Sequence, residues 1–206
     1  LAVRRGWSLA FAAASGGSLL CAGLSRFLDD GEHRPDRSAG LASLWRVAKR
    51  PDQLRSALVI SLVGSCFGSL FVFHQLYALE LGIVEVQVFF VAYAAAAVAA
   101  RLGLGGLGDR FGRQRLASLM LVLYAAGAFG MTALAQVGLA PLGALFGLAH
   151  GLFYPAYNAM AVENSPPGER GMRMALFQGW FNAGVAGGSF ALGFVAMFIV
   201  GGLSGV

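Results

Sequence analysis

Gly105-Gly106-Leu107-Gly108-Asp109-Arg110-Phe111-Gly112-Arg113-Gln114-Arg115 is a short polar gap between two long apolar runs. Its form, G-x-L-G-D-R-x-G-R-x-R, is a tight basic turn with one acid set between glycines. The flanks decide the class. Apolar residues make up 57% of the 206 residues and charged residues 12%, against roughly 45–50% and about 25% in soluble domains. A soluble core of this size could not hide so much apolar side chain. Runs long enough for a hydrocarbon core, about 20 residues each, fall near 7–27, 57–81, 84–105, 116–136, 139–163 and 174–202. The prediction is an all-α membrane protein, a polytopic bundle of transmembrane helices. Arg4 and Arg5 before the first run suggest a signal peptide, but the chain opens with Leu1 and five more runs follow, so the run is read as a span. Cys21 and Cys66 fall inside runs and suggest neither a disulfide nor a metal site.

Lysine and arginine set the orientation. Arg26, Arg34, Arg37, Arg46, Lys49, Arg50 and Arg55 crowd the first gap; Arg110, Arg113 and Arg115 the third; Arg170 and Arg173 the fifth. The turns near Glu80–Glu85 and Gln136–Pro141 hold none, so the basic gaps are expected to face the cytoplasm. The net charge of +5 is then a signal of topology, and no aromatic-interleaved basic patch points to nucleic acid. In the first gap, Asp29–Ser38 reads as a connector. After it, Leu41, Leu44, Trp45 and Ala48 share one helical face, with Arg46, Lys49 and Arg50 opposite. That pattern fits a short helix on the membrane surface, ended by Pro51, or a partly ordered linker.

The Gly105–Arg115 loop resembles the signature loop of the major facilitator superfamily of secondary transporters. In that superfamily twelve helices form two six-helix halves joined by a long cytoplasmic loop, and the signature follows the second helix of each half. Here one run and a long basic gap come first, then two runs, then the loop. The order resembles helices six to eleven. Glu163-Asn164-Ser165-Pro166-Pro167-Gly168-Glu169-Arg170-Gly171 is similar to the charged turn between helices ten and eleven. The resemblance implies half of a major facilitator fold. Residues 1–28 would be the last helix of the N-terminal half, 29–55 a cytoplasmic linker with an interfacial helix, and 56–206 a C-terminal bundle without its final helix. The expected partners are a small-molecule solute, the lipid bilayer and the N-terminal helices of the same protein.

The resemblance also assigns a conformational latch on the cytoplasmic side. Gly105, Gly106 and Gly108 would let a neighbouring helix approach, and Gly112 would take a left-handed turn. Asp109 would complement a helix N-terminus, with Arg110, Arg113 and Arg115 binding carboxylates or head groups. Gln114 departs from the pattern, where a basic residue is common. An ordinary basic turn explains the arginines but not Asp109 between glycines. Arg101, about two turns inside the membrane, is expected to join Asp109, Arg113, Glu163 and Arg170 in one charge network; its rival is a snorkelling, unpaired Arg101.

Polar groups inside spans mark the substrate path expected between the halves. His150, Tyr154, Tyr157 and Asn158 recur at helical spacing, with Pro155 placed to bend their helix. His74 and Gln75 lie on the second span, Gln178 and Asn182 on the last. Phe71, Phe73, Phe89, Phe90 and Tyr93 stay unassigned between packing and lipid contact. Ala94–Ala100, and Gly184, Gly187 and Gly188, fit close helix crossings.

No G-x-x-x-x-G-K-[ST] sequence supports ATP hydrolysis, and no other cofactor is expected. An ion gradient or facilitated diffusion remains, with His74, His150, Glu80 and Glu163 as candidates for carrying protons. A rhomboid-like protease fails, since Gly187-Gly188-Ser189-Phe190 lacks the last glycine of G-x-S-G and no histidine follows His150. The expectation is therefore a transporter rather than an enzyme. Its spans suit a neutral or amphipathic organic solute, and the resemblance, to bacterial drug and metabolite exporters in particular, implies alternating access and proton-coupled export across an inner membrane. An importer of sugars or organic acids, or a non-transporting scaffold half, are the alternatives.

Overall fold

The computed structural model describes residues 2–27, 40–163 and 165–203. The connector expected over 29–38 and Asn164 of the charged turn lie outside the described residues, as do the side chains of Arg4 and Arg5. The chain divides into two compact units between Gly40 and Leu41. In the first, α1 runs over Ala2–Ser25, and its stretch Phe11–Ser25 is apolar. Ser15 and Ser18 each donate to the carbonyl four residues back, at 2.8 and 3.0 Å. That satisfies the hydroxyls within the helix itself.

The second unit contains α2 (Leu41–Ala48), α3 (Pro51–Glu80), α4 (Gln87–Leu104), α5 (Leu107–Phe111) and α6 (Arg113–Gly130). A 3-10 turn over Met131–Ala133 leads to α7 (Leu134–Val137), followed by α8 (Leu139–Glu163), a 3-10 turn over Pro167–Glu169, and α9 (Arg170–Leu203). No strand occurs among the described residues. Five helical segments are long and apolar enough to cross a membrane: Pro51–Glu80, Gln87–Leu104, Arg113–Val137, Leu139–Glu163 and Arg170–Phe198. The all-α membrane fold expected from hydropathy is the one observed. Several helices begin before the apolar runs do, at Pro51, Arg113 and Arg170 instead of 57, 116 and 174. Hydropathy marks the hydrocarbon segment, whereas the helices carry their polar first turns beyond it. Pro51 does not end α2, which stops at Ala48; it opens α3 at the first helical position, where its missing N–H leaves no bond unmade.

Two helix pairs are joined by glycine seams. On α8, Gly143, Gly147 and Gly151 abut the backbone of Phe89, Tyr93 and Ala97 on α4, in matched steps of four residues. On α3 and α9 the seam is reciprocal: Gly64 and Gly68 meet Phe181 and Val185, while Gly184 and Gly188 meet Ser61 and Ser65. Hydrogen bonds cross this second seam, from Ser61 Oγ to the Trp180 carbonyl (3.1 Å) and from Ser65 Oγ to the Gly184 carbonyl (3.0 Å). Lipid gives helices no hydrophobic reason to associate, so close backbone contact and such bonds hold them together. α6 packs on α8 through Leu116, Met120 and Tyr124, with Gly127 seated against Phe146. Phe89, Phe146 and Phe153 are fully buried, which assigns Phe89 to packing. Large apolar groups such as Val122 (65% exposed) and Phe190 (77%) face outward, an arrangement that suits lipid or a partner helix and would be costly in water.

In α2, Val47 and Ala48 turn inward, while Leu41 and Trp45 stand exposed and the Lys49 ammonium lies 5.8 Å over the Trp45 ring. The single apolar face expected for α2 is thus split, with Leu44 set beside Leu176 and Trp180 of α9.

Candidate functional site

The signature loop is built by two breaks in one helical path. α4 ends at Leu104, α5 makes a single turn, and Gly112 then takes φ +85° before α6 starts at Arg113. A side chain disfavours that backbone, which is why the position needs glycine. The turn brings Arg113 back over Asp109, to which Nη2 donates at 3.0 Å, while Nη1 pairs with Glu163 at the end of α8. Arg113 therefore ties the loop to the end of α8. The carboxylates are 72% and 56% exposed, so solvent screens the pair and it contributes little to stability. Such a bridge fixes geometry and is cheap to break.

The other glycines of the loop do not act as expected. Gly106 has open space beside it, Gly105 lies against the Arg101 carbonyl of its own helix, and Gly108 is buried against Arg113 and Leu116. The close helix approach is made instead by Gly143, Gly147 and Gly151. Arg110 is exposed and makes no ion pair among the described residues.

The five-residue network is likewise only partly assembled. Asp109, Arg113 and Glu163 meet; Arg101 and Arg170 pair with no carboxylate among the described residues. Arg101 Nε donates to the Gly151 carbonyl at 3.3 Å. That carbonyl would ordinarily receive the N–H four residues on, which is Pro155 and has none. Arg101 thus fills a vacancy in the backbone bonding of α8. It pairs with no acid among the described residues, and its side chain is exposed in the last turn of α4.

A second charge cluster was not foreseen. Arg50 holds Glu169 through two hydrogen bonds of 2.8 Å, and Arg173 donates to Asp52 at 2.8 Å while lying 3.6 Å from Glu169. Arg173 is 5% exposed. The cluster joins the starts of α3 and α9. Its signals were present: an acid in the first turn after Pro51, and Glu169 four residues before Arg173.

Of the polar stripe, four residues come together. Tyr154 Oη donates to Gln178 Oε1 at 2.5 Å, and Gln178 Nε2 to Asn182 Oδ1 at 3.3 Å, which bridges α8 to α9. His150 is buried behind Tyr154, its ring 5.5 Å away and nearly parallel. Aromatic rings from five helices surround it: Phe67 of α3 at 4.8 Å, Tyr93 of α4 and Tyr124 of α6 at 6.1 Å each, Tyr154 of α8 itself, and Phe181 of α9 at 6.1 Å. The remaining candidates lie elsewhere. His74 is buried against Phe89 and Phe90, with Nδ1 donating to the Leu70 carbonyl at 2.7 Å. Gln75 makes no hydrogen bond among the described residues. Tyr157 stacks on Phe153 at 5.3 Å and borders a small cavity beside Asp52 and Arg173.

A cleft of about 570 Å³ lies between the signature loop and α8. Arg101, Asp109 and Arg113 line it from the loop side, and Tyr154, Pro155 and Asn158 from α8. Latch and polar stripe thus share one open space.

The family model described as Major Facilitator Superfamily matches residues 75–205. The chain belongs to the Major Facilitator Superfamily. Neither the curated proteins nor the solved structures searched gave a match. The matched stretch holds the signature loop, the Arg113 bridge and the Tyr154–Gln178 bond, whereas Arg50 and Asp52 precede it. This superfamily member is a multi-pass integral membrane transporter.

Proposed function

We propose that the chain is the C-terminal half of a carrier of the cytoplasmic (inner) membrane, which exports a small organic solute by alternating access against an inward flow of protons. The observation that carries this reading is the Tyr154–Gln178–Asn182 chain. Gln178 and Asn182 are exposed although both sit within a segment apolar enough to span a membrane. Polar groups bared at that depth need a water-filled path, a solute or a polar partner helix, and the open cleft lined by Tyr154 favours the first two. Asp109, Arg113 and Glu163 serve as the latch in this reading, since a weak, exposed bridge is suited to opening on every cycle. The N-terminal helices of the same protein would close the far side of the cavity.

The test uses the full-length protein in vesicles carrying a pH-sensitive dye, with a panel of organic solutes and Asp109→Ala as the control. Solute-evoked proton movement that disappears in the variant supports coupled transport. Solute flux without proton movement would replace coupling by facilitated diffusion. Solute uptake into inverted vesicles driven by an acidic interior, with protons leaving as solute enters, supports export, whereas uptake driven by an acidic exterior supports import.

A further inference from the structure

We propose that Arg101 is the receptor for an oxyanion, the carboxylate or phosphate end of the solute that enters the cleft. The inference rests on the reading of that cleft as part of the solute path, and it adds the chemical class of the solute.

The argument starts from the vacancy that Pro155 leaves in α8. Arg101 Nε is committed to the Gly151 carbonyl, and this single bond anchors a planar group that would otherwise be free to rotate. The two terminal nitrogens make no hydrogen bond or ion pair among the described residues. A guanidinium held at Nε presents the terminal pair as a fork, the geometry that suits two oxygens of a carboxylate or phosphate.

Charge in the cleft agrees. Its charged lining residues are Arg101, Arg113 and Asp109, and Arg113 is already shared between Asp109 and Glu163. Arg101 is the lining charge left without an opposite one. Arg101 is exposed and lines the cleft, so its free terminal nitrogens are open to a ligand there. Asn158, which lines the same space, makes no hydrogen bond among the described residues and adds an amide donor. The position of Arg101 in the last turn of α4 is also favourable to the helix itself, so the test must separate a structural role from a receptor role.

The experiment measures binding of benzoate and benzamide, matched in shape and different in charge, to the full-length protein in phosphatidylcholine nanodiscs. Benzoate is expected to bind more tightly by about tenfold, the factor that ~1.4 kcal/mol represents. Arg101→Gln should abolish the preference and Arg101→Lys should keep part of it. Because Arg101→Gln also removes the donor to Gly151, it is repeated with Pro155→Ala, which restores a helical N–H to that carbonyl. Equal binding of the two probes, or a preference that survives Arg101→Gln in either background, overturns the proposal. Adding phosphatidylglycerol to the discs separates the sources of the oxyanion. A preference lost there identifies a lipid phosphate on Arg101, and one retained identifies the solute. The functional reading is scored separately: unchanged transport in Tyr154→Ala sinks that reading whatever the probes show, and equal probes with transport lost in Tyr154→Ala sink the oxyanion alone.

Discussion

Arg50 and Glu169, 119 residues apart in sequence, are joined by two parallel hydrogen bonds of 2.8 Å. Glu169 also faces the buried Arg173, which holds Asp52, so one carboxylate serves two cations. Glu169→Gln should therefore destabilise the bundle more than Asp52→Asn, by ~1.5–3 kcal/mol against less than half of that, since hydrogen bonds to charged groups contribute in this range when shielded. Asp52 is 57% exposed and Glu169 20%. Thermal unfolding of the two variants in detergent checks the order; an equal loss would show that the shared carboxylate has no special weight.

The Arg113 bridge should behave in the opposite way. Asp109→Asn and Glu163→Gln are expected to change the melting temperature little, because solvent screens exposed pairs, while transport falls. Exchanging Asp109 and Arg113 should recover part of the transport lost in the single variants. No recovery would mean that their contact is not used during the cycle.

Glycine variants test the seams. A Cβ at Gly184 would overlap the Ser61 backbone, whereas at Gly187 it meets open space. Gly184→Ala is expected to cost ~1–3 kcal/mol, the usual penalty for overpacking, and Gly187→Ala almost nothing. The yield of monodisperse protein and its melting temperature report both.

The histidines and the tyrosine divide into solute and packing roles. Tyr154→Phe keeps the ring against His150 and removes the hydroxyl that Gln178 accepts from. It should raise KM several-fold with little loss of stability. His74→Ala, which empties a site between Phe89 and Phe90, should lower stability by ~2–5 kcal/mol, as large truncations in packed interiors do, and leave KM unchanged. A KM effect from His74 would return it to the cavity.

The fold was legible because the bilayer imposes one periodic demand, about 20 apolar residues per span, and the chain meets it repeatedly. The loop was legible because Gly112 and Asp109 answer local requirements of backbone and charge. What sequence could not supply was the pairing between distant helices. Arg101 looked like a member of the latch, since its acidic neighbours are close in sequence, yet the decisive partner is a carbonyl 50 residues away that Pro155 has left free. Both clues, the intramembrane arginine and the mid-helix proline, were visible, and only the α4–α8 seam places them together. Gly143, Gly147 and Gly151 share the four-residue spacing of Gly184 and Gly188, but they lie among the large side chains of α8, and only their contact with α4 sets them apart.

The two glycine seams decide what counts as a part in this transporter. With backbone against backbone, α3 has no slack to slide on α9, nor α4 on α8. Each pair is expected to travel as a single beam. The Tyr154–Gln178 bond is a polar tie between the beams, set among ring contacts such as Phe67 with His150, so a solute that competes for Gln178 would loosen that tie. Spin labels on α8 and α9 would register that release, while labels placed across either seam would stay still.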